Sequence, residues 1–146
     1  MSNPTSRWRD TLQWMLPRTA LLKVSDEDLA LLYPGADPAG LAAHWLESGV
    51  KLVVVTRGAQ GAWGWTATAH VATPPVRVAV VDTVGAGDTF QAALLATLAE
   101  RGLLTRDALA TLDAAMLQQV LGFAAQAAAI TCSRRGADLP RRADLA

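Results

Sequence analysis

The sequence predicts a single α/β domain, and three observations carry that prediction. Two runs rich in β-branched residues, Lys51 to Thr56 (KLVVVT) and Val76 to Val81 (VRVAVV), show little polar alternation, which favours strands covered on both faces. Segments with helical spacing and caps alternate with such runs, the order expected of α/β chains. Where the second run ends, the loop Asp82 to Phe90, DTVGAGDTF, sets two glycines between two acids ahead of an Ala/Leu stretch.

The elements follow in order. Ser6 to Leu16 places Trp8, Leu12, Met15 and Leu16 at helical spacing, and Pro17 stops the helix. Thr19 to Val24 (TALLKV) is a short buried strand. SDEDLALLYPG then opens a helix with Ser25 as N-cap and Asp28 three residues on, a variant capping box, and Pro34-Gly35 closes it. Asp37-Pro38 is an N-cap with a first-turn proline, followed by a buried stripe of Leu41, Trp45 and Leu46 up to Gly49. After the strand Lys51 to Thr56, Gly58 and Gly61 bracket a tight turn. Ala62 to Thr66 and Ala69 to Ala72 form a hairpin that Pro74-Pro75 breaks, and Val76 to Val81 is the next strand. Asp88 to Ala99 is a helix ended by Gly102. Thr105 caps a short helix over 106–114, Ala115 to Ile130 is a long alanine-rich helix, and the tail from Thr131 is loop.

The chain has 146 residues, enough for one domain, and 51% of them are apolar. Thirteen basic residues balance thirteen acidic ones, which argues against a nucleic-acid footprint and a polybasic membrane patch. One cysteine, Cys132, permits no internal disulfide. No apolar run approaches the roughly 20 residues of a membrane span, and the first ten residues carry no signal region. These features read as a soluble cytoplasmic protein.

The loop at 82–90 has a chemistry. Gly85 and Gly87 let the backbone take positive φ and come close to a ligand. The amides of Ala86, Gly87 and Asp88 would point from the start of the next helix, where an anion is favoured. A carboxylate beside such a hole suits phosphoryl transfer, in which a base takes the proton of an attacking hydroxyl and amides hold the charge on the transferred group. The four residues 85–88 alone read equally as a plain turn with a helix-starting Asp. They are no P-loop, since no lysine lies in 52–146, and no dinucleotide fingerprint, since Phe90 stands where its third glycine is needed.

The wider stretch VVDTVGAGDTFQAALL resembles the C-terminal signature of the ribokinase-like PfkB sugar kinases. KLVVVTRGAQGAWGW resembles the family's Thr-x-Gly-x-x-Gly strand-turn-strand. LLKVSDEDLALLYPG resembles its Asn-x-x-Glu segment in fructokinase-like form, with Ser25 and Asp28 in place of Asn and Glu. GFAAQAAAITCSRRGADLP resembles the nucleotide-side helix and following loop. The resemblance implies a ribokinase-like three-layer α/β/α sheet and ATP-dependent phosphorylation of a sugar primary hydroxyl, with Mg2+ as cofactor. It implies Asp88 as base, and Gly85, Ala86 and Gly87 with the Asp88 amide as anion hole. Thr56, Gly58 and Gly61 match a turn near the ATP phosphates and ribose. Ala125 falls where many members carry an Asn near adenine, and Gly136 lies in the loop completing the nucleotide side. Asp82 and the Val84 carbonyl match a monovalent-cation site, such as K+, completed by the loop of Ser133, Arg135 and Gly136. Asp28 matches the acid that organises hydrated Mg2+.

Family members are about twice as long. Their first half supplies most of the sugar pocket, a Gly-Gly-x-x-x-Asn segment and the lid strands, none of which is found here, and Ser2 replaces the Asp of a mid-chain Asp-Pro-Asn-x-Arg region. The expectation is therefore a truncated domain, residues 1–146 forming the C-terminal part of a carbohydrate kinase, with an exposed sheet edge that favours self-association. A non-catalytic nucleotide-binding remnant, or one piece of a split protein, is the alternative.

Other residues have plainer readings. Asp82 alone reads as a turn former, and Arg57 as solvated. His44 and His70 lack metal-ligand spacing. Trp14, Trp45, Trp63 and Trp65 read as core or hairpin packing, and Arg134, Arg135, Arg141 and Arg142 as a solvated tail.

Overall fold

The alternation of buried side chains along one strand organises the molecule. In a computed structural model that describes residues 4–76 and 85–133, strand β2 (Leu52–Thr56) is buried on both sides. Leu52 and Val54 enter one apolar cluster with Phe90, Leu94, Leu98, Leu117 and Leu121. Val53 and Val55 enter another with Leu16, Leu29, Trp45 and Trp65. Because successive strand residues point to opposite faces, the continuous apolar run becomes the middle layer of a three-layer α/β/α sandwich, as the sequence predicts.

The sheet has the order β1 (Leu21–Ser25), β2, β3 (Ala62–Trp65), β4 (His70–Ala72). It is mixed: β1 and β2 are parallel, with Lys23 opposite Val54 and Ser25 opposite Thr56. β2–β3 and β3–β4 are antiparallel, the latter pair being the expected hairpin. The expected strand over 76–81 lies, beyond Val76, outside the described residues, as do the tail after Ser133 and the cation-site residues Asp82, Val84, Arg135 and Gly136.

On one face lie α1 (Pro4–Met15), α2 (Asp26–Leu32) and α3 (Pro38–Glu47); on the other, α4 (Ala86–Glu100), α5 (Arg106–Ala110) and α6 (Ala114–Cys132). Caps set their starts. Ser25 Oγ accepts from the Asp28 amide at 3.1 Å, and Asp37 Oδ2 accepts from Gly40 at 3.3 Å. Thr105 Oγ1 accepts from Ala108 at 3.1 Å, and Asp113 Oδ1 accepts from Met116 at 2.7 Å.

Several sequence expectations are corrected. α1 buries none of its residues: Trp8 is 67% exposed and Trp14 64%, so Trp14 is no core residue but packs under the Arg18 guanidinium at 4.4 Å. Leu16, in the 3-10 turn after α1, is the residue that enters the core. α6 continues through Thr131 and Cys132, which the sequence reading placed in loop. α6 is also long and apolar enough to cross a membrane by length and composition. Its buried residues, among them Leu117, Val120, Leu121 and Ala124, pack against the sheet and α4, so its apolarity is used inside the fold.

Candidate active site

Two parallel strands end side by side, and the residues of interest gather past their carboxyl ends, where open α/β sheets bind ligands. Ser25 closes β1 and is opposite Thr56, the last residue of β2. From Ser25 the chain turns directly into α2, whose first turn carries Asp26, Glu27 and Asp28, all exposed. From Thr56 it enters the 3-10 turn Gly58–Gln60, the tight turn expected between Gly58 (φ 56°) and Gly61 (φ 94°), both of which take positive φ. The turn is closed by the Arg57 amide donating to the Gly61 carbonyl at 2.8 Å.

The glycine loop delivers the third component. Gly85 is left-handed at φ 81° and serves as N-cap of α4 with no side chain capping it. α4 starts at Ala86, two residues earlier than the sequence predicts, so Gly87 lies inside the first turn and its φ is not positive. A Cβ there would make an ordinary contact with Lys23 Nζ at 3.7 Å. The amides of Ala86, Gly87 and Asp88 have no carbonyl four residues earlier within the helix. The Asp88 side chain is exposed beside them.

Behind this turn the site is anchored. Thr89 and Phe90 are buried, and Thr89 Oγ1 meets Thr131 Oγ1 at 2.8 Å. That contact sets the start of α4 against the end of α6, where Ser133 is the exposed C-cap and its Oγ donates to the Ile130 carbonyl at 2.7 Å. Ala125 sits two turns back on α6, 8% exposed and part of the core.

Sequence reasoning missed Lys23. From β1 its Nζ donates to the Gly87 carbonyl at 3.3 Å, across 64 residues. Burial lowers its pKa from the ordinary 10.5, against the opposing pull of the Asp88 and Asp28 carboxylates. One ammonium thus feels both acids singled out in the sequence. The signal was a lysine inside an apolar strand run, a position where a charge is unusual. Arg57 also departs from its solvated reading. It is half-buried with its guanidinium 4.0 Å over Trp63, Nη2 donates to the Gln60 carbonyl at 3.1 Å, and its buried Nε has no acceptor among the described residues.

The arrangement can hold a polyanion and a proton acceptor together. Helix-start amides, a glycine turn and a lysine suit phosphate groups. Among the described residues no cluster of three or more His, Cys, Asp or Glu is placed to grip a metal. The donor set therefore fits Mg2+ carried by phosphates and water, with Asp28 and Asp88 as outlying carboxylates, better than a caged ion.

The chain is 47% identical over 128 residues to a fructokinase of Rhizobium leguminosarum bv. trifolii, covering 88% of this chain and 37% of that protein. It is 36% identical over 123 residues to a probable fructokinase of Arabidopsis thaliana, covering 82% and 35%. A fructokinase of Xylella fastidiosa solved with bound ATP superposes with a TM-score of 0.83 at 29% identity, covering 99% of this chain and 45% of that one. An aminoimidazole riboside kinase of Salmonella enterica superposes with a TM-score of 0.79 at 27% identity, covering 98% and 46%. The chain thus spans a little over a third of the length of these curated relatives. The model of the pfkB family carbohydrate kinases matches residues 1–144, and the chain belongs to that family.

Proposed function

We propose that this chain carries the ATP-binding and catalytic-base half of a fructokinase-like enzyme that phosphorylates a sugar primary hydroxyl. The observation that carries the reading is the first turn of α4, where exposed Asp88 stands beside uncapped amides behind left-handed Gly85. Asp88 accepts the hydroxyl proton, and the amides of Ala86, Gly87 and Asp88 hold the charge that develops on the transferred phosphoryl oxygens. Bound MgATP supplies the phosphoryl group and neutralises part of its charge. Thr56, Gly58 and Gly61 would flank the phosphates and ribose of bound ATP, Asp28 would meet its hydrated metal, and Ala125 would back the adenine side from the core. By the family resemblance, Asp82, the Val84 carbonyl and the loop of Ser133, Arg135 and Gly136 would hold a monovalent cation; of these only Ser133 lies within the described residues. Fructose is the first sugar to test, since relatives at 47% and 36% identity are named fructokinases.

A second reading is a nucleotide-binding piece that needs a partner for the sugar pocket. It is favoured by the share of its relatives that the chain spans. Calorimetry with MgATP followed by a coupled kinase assay over a sugar panel separates the two. Binding with turnover supports the enzyme, and binding without turnover supports the partnered piece. Absence of nucleotide binding would overturn both.

A further inference from the structure

We propose that Lys23 is a positioning residue of the reacting turn, tying the Gly87 carbonyl to β1 and so fixing where the first turn of α4 presents its amides and Asp88. The inference rests on the reading of Asp88 as the base.

The placement of Lys23 is costly unless it has such a use. Along β1, Leu22 and Val24 pack with the α1–α3 cluster, and Leu21 with the α4–α6 cluster. Strand alternation puts Lys23 on the same face as Leu21, and its partner Val54 is fully buried in the α4–α6 cluster. A position that the pleat assigns to the core therefore carries an ammonium. That ammonium also stands beside the first turn of α4, the positive end of the helix dipole, where a cation is disfavoured.

Three features hold it there. Nζ donates to the Gly87 carbonyl at 3.3 Å. Nζ stands 5.9 Å from the centre of the Phe90 ring, at the outer range of a cation–π contact. The charged groups acting on it are Asp88 from α4 and Asp28 from α2, both favouring the ammonium form. The family signature thus brings a loop without lysine against a lysine on a distant strand.

The test is the Gly87 carbonyl-carbon NMR resonance and the affinity for MgATP by calorimetry, with Lys23→Met keeping the stem and removing the donor, and Lys23→Arg restoring a donor. The Gly87 resonance should move in Lys23→Met, and MgATP affinity should fall by about 3- to 10-fold, the worth of one hydrogen bond that positions the turn. Lys23→Arg should recover most of both changes. A merely structural lysine would alter the thermal midpoint and leave the Gly87 resonance and the affinity where they were. An unmoved resonance with unchanged affinity in folded Lys23→Met overturns the proposal. Should that variant not fold, the Gly87 resonance and MgATP affinity of Lys23→Arg are read instead: values kept near the parent's support the tie, and values lost with the fold intact overturn it. The two readings fail separately, since undiminished turnover in Asp88→Ala defeats the base assignment, whereas an unmoved Gly87 resonance defeats this one.

Discussion

The hydroxyls of Thr89 and Thr131 meet at 2.8 Å in the core, joining the first turn of α4 to the last turn of α6 across 42 residues. Thr89 is 4% exposed and Thr131 0%. Each hydroxyl has taken the other as partner in place of water, and the residue before Thr89 is Asp88. The pair therefore seats the reacting turn as well as the helices.

Removing one hydroxyl strands the other. Thr89→Val or Thr131→Val should each lower stability by about 1–3 kcal/mol, the usual loss when a buried polar group keeps no partner. The double variant, with two apolar groups of the same shape, should lose much less than the sum. Urea unfolding of the four proteins measures the coupling. Strict additivity would show that the contact contributes nothing of its own.

The Thr56–Gly61 turn has a steric account that a second pair of variants checks. At Gly61 (φ 94°) a Cβ would lie 2.6 Å from both the Thr73 carbonyl oxygen and Thr73 Oγ1. Thr73 Oγ1 also accepts from the Ala62 amide at 2.8 Å, so it has little freedom to withdraw. At Gly35 (φ 76°) a Cβ meets nothing within 4 Å. Gly35→Ala should cost about 1 kcal/mol from backbone strain alone. Gly61→Ala adds the clash and should cost about 2–4 kcal/mol. Equal losses in denaturant melts would refute the contact with Thr73 as the cause.

What was legible in the sequence was what the chain specifies locally. The β-branched run at 51–56, the Ser25, Asp37 and Thr105 caps and the glycine turns each stand within a few residues of the geometry they produce. The parts that escaped notice depend on distant partners. Lys23 looked like one polar residue in a strand until α4 came beside it, 64 positions on. Trp8 and Trp14 have helical spacing with apolar neighbours, yet no layer covers them among the described residues, and spacing alone cannot report that. α4 starts earlier than its glycines suggest because Gly85 sets a left-handed cap and lets Ala86 and Gly87 into the first turn. The cap that Asp113 gives to Met116 is likewise hidden in the sequence, since alanines follow it and blur the boundary.

Alkaline pH separates two half-buried groups with opposite signs. Burial lowers the Lys23 pKa below 10.5, so the unfolded chain binds more protons there and stability rises with pH between the folded value and 10.5. Burial raises the Tyr33 pKa above 10.0 against the pull of Arg9, so its contribution is full below 10.0 and is lost as pH climbs through the folded value. Lys23→Met should therefore gain most over the parent near neutral pH, with the gain shrinking toward pH 10.5. Tyr33→Phe should match the parent's pH trend up to pH 10 and decline less above it. Thermal midpoints from pH 7 to 11 check both, and a Lys23→Met advantage that grows with pH would reverse the sign argued here.

Asp88 tests whether the reacting turn separates binding from chemistry. Its carboxylate is exposed at a helix start, beside the amides proposed to hold phosphoryl oxygens. A carboxylate there repels a bound polyphosphate, while a general base is needed only as the hydroxyl proton leaves. Asp88→Asn keeps the shape and removes both effects. Nucleotide affinity, read by calorimetry, should hold or rise. Sugar phosphorylation should fall by at least ~10² in turnover with little change in the KM for ATP, the pattern of an interaction made in the transition state. The assay uses this chain alone where it turns over, and otherwise this chain together with a separately expressed N-terminal half of a fructokinase relative. Weakened nucleotide binding with unchanged turnover would reverse the assignment, making Asp88 a binding residue and leaving the base to be found elsewhere.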